Sequence, residues 1–348
     1  MYQIYYYRVY ETGGEINLDQ LERDLGRAHD ISRSRFARLA PKSIRMEQPP
    51  LQLTVGTALA GNGGPELQLT VRAKIFDIGA ISLCLAAERH DDRLLDIAVS
   101  SAEDGWLEEQ FAQGLALVRG ILEPCLGDLQ VDIDFYEDFT VYVVDSPALV
   151  QDPVAVLMGE HGPFSQQVRE QVLRNTLSYT LDDYAILSWD SALLCDREPP
   201  VDLIELIEFA NVQLLELRYY DRLLGAHMTK MYEDIKSVDR SGYRPPRRYR
   251  AIMSQLMETI ADVTEVTEKI VNLIKITEDI YYARVYDQCL KVLRVQNWID
   301  SVNRKISVLQ QNYSMLSNEV NIQHSNFLEW IIIILIAMEF ALAIWQSL

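Results

Sequence analysis

The chain has 348 residues, enough for about two domains, and its 49% hydrophobic and 24% charged residues make an ordinary globular composition with ample core material. A formal net charge of −19 argues against broad, charge-driven nucleic-acid binding, which needs a basic face. Cys84, Cys125, Cys195 and Cys289 are far apart and form no CxxC pair, so they read as free thiols in a reducing compartment and not as a zinc site or a disulfide frame.

Met1 to Tyr10, rich in tyrosine and β-branched residues, predicts a strand, and nothing in it resembles a secretory signal or a transit peptide. Asn17 is placed to cap a short helix from Leu18 to Gly26. Leu51–Val55 and Leu67–Val71 alternate apolar with polar residues around the turn signal Gly61-Asn62-Gly63-Gly64-Pro65, which predicts a hairpin. A further strand is expected over Ile78–Ala87 and a helix over Trp106–Leu122. Val131, Ile133 and Phe135 alternate with Asp132 and Asp134 in a strand that resumes through Val141–Val144. A helix capped by Ser165 runs from Gln166 to Leu177, and a last strand from Tyr184 to Leu194. The first 199 residues therefore predict an α+β domain, with helices on a mostly antiparallel sheet.

After Pro199-Pro200 the character changes. Leu203, Ile207, Leu214, Leu217 and Leu224 recur at helical spacing within Val201–Lys236. From Arg247 to Leu348 there is neither glycine nor proline, which predicts long helices of about 248–293 and 297–325 with a break near Asn297. Residues 200–325 read as a helical hairpin or coiled-coil stalk. The final stretch, 326–348, contains FLEWIIIILIAMEFALAIW and predicts one transmembrane helix, with Trp330 and Trp345 near the two interfaces. A single-pass membrane protein, its body in the cytoplasm or its equivalent, is the resulting expectation.

Leu328-Glu329-Trp330 followed by the isoleucine run and Glu339 resembles the opening of the C-terminal helix in a family of uncharacterised-domain proteins that includes the mitochondrial "required for meiotic nuclear division" proteins. Tyr282-Ala283-Arg284-Val285-Tyr286, Leu215-Glu216-Leu217-Arg218-Tyr219-Tyr220-Asp221 and Phe76-Asp77-Ile78-Gly79-Ala80 are similar to further segments of that family. The resemblance is best over the last 150 or so residues. It implies a membrane-tethered, non-enzymatic scaffold, with mitochondrial relatives supporting translation; with no transit peptide it implies a bacterial relative, in the inner membrane with a cytoplasmic body, and it brings no catalytic residues.

The chain has no HExxH, GxSxG, Walker or GxGxxG motif, and none of its five histidines has a partner at ligand spacing, so no catalytic residue, metal or cofactor is expected. Asp132 and Asp134 could bind a hard cation, but they read first as the wet face of a strand whose dry face is Val131, Ile133 and Phe135. Asp182, Asp183, Asp190 and Glu160 could form a carboxylate cluster for an enzyme of the alternative class. Glu339, with Glu329 and Trp330, is expected at a helix–helix contact between copies, or as a residue snorkelling to the interface, and on Glu339 alone rests a third class, an ion- or proton-coupled complex. Arg240, Arg244, Arg247, Arg248 and Arg250, with Tyr243 and Tyr249 among them, suit lipid headgroups or RNA, or simply a solvated turn. The leading expectation is a self-associating scaffold or tether with membrane lipid, an unknown protein partner and RNA or ribosome as its partner classes.

Overall fold

Strand β1 (Tyr2–Glu11) sits at the centre of the structure, a computed structural model. It describes residues 1–26, 29–34, 44–46, 48–59, 67–103, 105–127, 129–241 and 280–347, and between these last two spans residues 254, 257–258, 260–261, 263–265, 267–268 and 274–276. The side chains of 44–46, 234–241, 274–276, 313, 316–328 and 340–347 lie outside the description. Contacts divide the chain into two units, Met1–Tyr219 with Glu268–Trp298, and Tyr220–Thr267 with Ile299–Leu348.

In the first unit, β1 pairs antiparallel with β6 (Ala80–Arg89) on one side and β7 (Asp132–Val144) on the other. The remaining strands are β2 (Ile31–Arg33), β4 (Leu51–Leu59), β5 (Gln68–Ile75), β8 (Thr176–Leu177), β9 (Tyr184–Leu187) and β10 (Ser191–Cys195). They complete a nine-stranded sheet in the order β2-β4-β5-β6-β1-β7-β10-β9-β8. The sheet is mixed, because β10 runs parallel to β7, the connection between them carrying helices α4 (Pro153–Met158) and α5 (Gln166–Leu173). A separate pair joins β3 (Ile44–Met46) to β11 (Ile274–Ile276).

Alternation decides the layers. Tyr2, Ile4, Tyr6 and Tyr10 point into a core shared with α1 (Leu18–Leu25), α2 (Leu94–Glu103) and α3 (Trp106–Leu122), through Leu21, Ile97, Trp106, Phe111 and Val118. Each such side chain contributes about 1.5–3 kcal/mol by leaving water. The opposite face of β1 offers Tyr7, which is also buried, and this face meets helix α6 (Val201–Ser241), with Phe209 edge-on to Phe76. Every residue from Asp202 to Leu217 is buried, so this part of α6 is a core helix and not the start of a stalk.

The turn before β6 fixes a glycine. Gly79 has φ +110, and a Cβ there would lie 2.5 Å from the carbonyl oxygen of Gly14. Gly79→Ala is expected to lower the unfolding free energy by more than about 1 kcal/mol, readable as a reduced denaturation midpoint.

The second unit has its own small core. Leu224 and Met231 of α6, Ile260 and Val263, and Val302, Ile306 and Leu309 of the terminal helix α8 (Val295–Ser347) are buried. Lys305 and Ser301 both bind the Asp221 side chain, at 2.9 and 2.6 Å.

Several expectations hold at residue level. Asn17 Oδ1 accepts from Gln20 N, Ser165 Oγ accepts from Val168 N, and α3 starts and ends at the predicted residues. Others need correction. Tyr184–Leu194 is two strands joined by a tight turn, the break in the terminal helices falls at Leu293-Arg294, and Ile274–Ile276 is a strand within the span read as helix. Among the described residues, a buried core helix and a strand therefore stand in place of the expected coiled-coil stalk. Among the same residues, no helix is long and apolar enough to cross a membrane. This overturns the transmembrane helix over 326–348 and, with it, the single-pass membrane location.

Candidate functional site

Of the residues singled out in the sequence, Glu329, Trp330 and Glu339 are exposed on α8. Arg240 belongs to the last turn of α6, its side chain outside the description, and Arg244, Arg247, Arg248 and Arg250 lie outside the described residues. Asp182 pairs with Arg197 at 2.7 Å, while Asp183 caps a turn by accepting from the backbone of Tyr179 and Thr180. Asp190 accepts from Ser191 and Glu160 is exposed, so each of the four acids has a local setting of its own. Asp132 accepts from Asp134 N, and Ile133, expected on the dry face, is half exposed. Among the described residues, no three His, Cys, Asp or Glu side chains converge as metal ligands.

A cleft of about 880 Å³ lies elsewhere in the first unit. One wall is β7, which supplies Glu137 and Asp138. Another is α6, with Asn211, Leu214 and Arg218. Helix α5 (Gln166–Leu173) gives Gln171, the β9–β10 turn gives Ser188 and Trp189, and α7 (Ile280–Val292) gives Gln288 and Lys291. Arg294 and Trp298 close the far side.

The acids in this cleft are already spoken for. Asp138 accepts from Arg8 Nε and Nη2 at 2.5 and 2.9 Å. Arg8 also forks onto Glu108 at 2.5 and 2.7 Å, and lies between the rings of Phe111 and Tyr136 at 4.5 and 4.1 Å. The bonds from Arg8 hold the Glu108 carboxyl below the usual glutamate range. Glu137 is paired with Arg218, whose guanidinium stands over the rings of Phe135 and Trp298 at 5.7 and 5.8 Å. Burial pulls the Arg218 pKa down from its ordinary value.

Two further cations line the cleft. Among the described residues, neither Lys291 nor Arg294 has an ion-pair partner, and both are exposed. The indole of Trp189, 71% exposed, lines the same cleft. Gln288 donates to Asn175 at 3.0 Å, which fixes two amides along the floor. Two unpaired cations, an exposed aromatic face and fixed amides make a surface suited to an anionic ligand with a planar ring.

Arg294 has the one positive φ among the described non-glycine residues, +54°. The left-handed region costs a side-chain-bearing residue roughly 1 kcal/mol, and such strain collects at binding sites. Arg294→Gly is expected to raise the unfolding free energy by up to about 1 kcal/mol while weakening any anion held in the cleft. A chemical denaturation curve checks the first half of that expectation.

Sequence reasoning misses this cleft. Its residues come from six separate segments, and of them only Arg218 stands inside a motif picked out in the sequence.

Comparison with known proteins gives a match to the family described as "Uncharacterized protein MJ0711, N-terminal domain" over residues 1–201. A relative of that name from Methanocaldococcus jannaschii is 22% identical over 219 residues, which is 60% of this chain and 66% of the relative, just under two thirds of its length. The matched family is defined on the first part of the chain, and gives no support to the resemblance with the meiotic nuclear division proteins drawn mainly from the C-terminal half. Over the whole of its sheet-forming first 201 residues, the chain belongs to the MJ0711 N-terminal domain family.

Proposed function

We propose that this protein is a non-enzymatic scaffold whose cleft binds a small phosphorylated ligand carrying an aromatic ring, of the nucleotide class. The observation that carries the reading is the presence in one cleft of Lys291 and Arg294, which have no ion-pair partner among the described residues, and exposed Trp189, on a chain of net charge −19. A volume of about 880 Å³ lies in the range of small-molecule sites. In so acidic a protein, two cations left uncompensated at one concavity mark the place where an anion is attracted. Stacking on Trp189 and phosphate contact with Lys291 and Arg294 would act together.

Binding is favoured over catalysis because Glu137 and Asp138, the carboxylates lining the cleft, are tied to Arg218 and Arg8. A general base needs a free lone pair within reach of its proton. Titration of the full chain with ATP, followed by tryptophan fluorescence, is expected to give a saturable change that weakens with salt. The double variant Lys291→Gln/Arg294→Gln should bind at least about tenfold more weakly, a loss of about 1.4 kcal/mol. An unchanged affinity in that variant contradicts the reading.

A further inference from the structure

A second, smaller cavity lies on the sheet face that α6 covers, about 190 Å³ in volume, the space of roughly six waters. Its sheet wall carries Tyr5, Tyr7, Arg72 and Cys84, and its helix wall carries Glu205 and Glu208. Tyr5 and Tyr7 stack with centroids 6.3 Å apart and form a flat side. Burial pushes the Cys84 thiol up to about 12, so it is a neutral lining group and not a nucleophile.

The charges at this cavity are incompletely paired. Lys74 donates to Glu205 at 2.9 Å and to Glu208 Oε2 at 2.7 Å. Glu208 Oε1 is buried with no well-formed hydrogen bond, the likewise unsatisfied Ser82 hydroxyl being near it, on a side chain only 1% exposed. Arg72, on the strand side, has no ion pair among the described residues. Lys74 and Arg72 against Glu205 and Glu208 sum to zero, yet one cation remains without an ion pair among the described residues and one carboxylate oxygen without a well-formed hydrogen bond, on different walls. A buried, unpaired carboxylate oxygen is costly, and a ligand that supplies its donor removes that cost.

We propose that this cavity binds a zwitterion of the α-amino-acid class, its carboxylate on Arg72 and its ammonium on Glu208. A net-neutral ligand with separated charges matches a net-neutral cavity with separated charges. A simple anion would satisfy Arg72 and leave Glu208 unpaired, and a simple amine would do the reverse. The size of the cavity restricts the ligand to a small member of the class, and the Tyr5–Tyr7 wall favours one with an apolar side chain.

The test is the thermal midpoint of the full chain with each common amino acid at about 10 mM, beside equal concentrations of acetate and of methylammonium. At least one amino acid should raise the midpoint by about 2 °C or more, with neither half-ligand doing so. Arg72→Gln should abolish the shift with little change in the unliganded midpoint, since Arg72 makes no ion pair among the described residues. If that variant fails to fold, Val201→Trp, at a half-exposed residue on the rim, should abolish the shift by filling the opening. No shift with any amino acid, an equal shift with acetate or methylammonium, or a shift retained in the folded Arg72→Gln variant overturns the proposal.

Discussion

Lys74→Met is expected to lower the unfolding free energy by about 3 kcal/mol at neutral pH, within the range for breaking a buried ion pair from one side. Lys74 and Glu205 are each 12% exposed in the side chain and Glu208 is 1% exposed, so water cannot take over what the ammonium does. Methionine fills much of the volume but leaves two carboxylates facing each other between the sheet and α6. The loss has a ceiling, because a buried carboxylate can escape its charge by taking up a proton. Burial already raises the Glu208 pKa from its ordinary value, against the pull of Lys74. The deficit of the variant should therefore shrink as the pH falls toward 5. Lys74→Met/Glu208→Leu should recover a large part of it, because replacing both members of a buried pair costs far less than removing one. Denaturant unfolding of the wild type, both single variants and the double variant checks this. A double variant no more stable than Lys74→Met would refute the account of the pair.

Glu216→Gln should have the opposite sign. Glu216 is fully buried on α6, neither carboxyl oxygen makes a well-formed hydrogen bond, and burial raises its pKa well above the ordinary glutamate value, with the charge and side-chain contact of Glu11, then Asp77 and Glu15, adding to the shift. A carboxyl whose pKa is higher folded than unfolded binds more protons in the folded state. Its contribution to stability is complete below the unfolded value of 4.5 and is lost as the pH rises toward the folded value. The wild type should thus lose stability through this group as the pH rises above 4.5. Glutamine stays neutral throughout, so the variant should match the wild type near pH 5 and exceed it at pH 8, by on the order of 1–3 kcal/mol. The general repulsion of a chain with net charge −19 acts on both proteins and cancels in the difference. A variant less stable than the wild type at pH 8 would show that the Glu216 charge is favourable where it lies.

Much of the sheet domain is legible in the sequence because its signals are local. The alternation of β1, the caps at Asn17 and Ser165 and the period of α3 each depend on neighbours within a few residues. Long-range pairing is where the reading fails. Ile274-Lys275-Ile276 alternates as a strand should, but its partner Ile44–Met46 lies far away in the chain, and the absence of glycine and proline permits a helix without requiring one. The acids of α6 at 205, 208 and 216 look like a solvated face, since only the sheet packed over them makes them buried. The terminal apolar run shows the limit of a composition argument. Read as letters it is long enough for a bilayer, yet among the described residues no helix meets the length and apolarity that crossing demands. The cleft is invisible for a topological reason. Lys291 and Trp189 are ordinary surface residues until α7 and the β9–β10 turn bring them to one concavity, and the left-handed backbone at Arg294 has no sequence signature.

The central claim is that the cleft holds a phosphorylated, ring-bearing ligand between Trp189 and the cations Lys291 and Arg294. A crystal structure of the full chain grown with ATP tests it most directly. The account predicts the adenine stacked on the Trp189 indole and the phosphates within about 3 Å of the Lys291 and Arg294 side chains, as charge-assisted hydrogen bonds require. Nucleotide bound at another surface, with the cleft holding only solvent at saturating ATP, would contradict it.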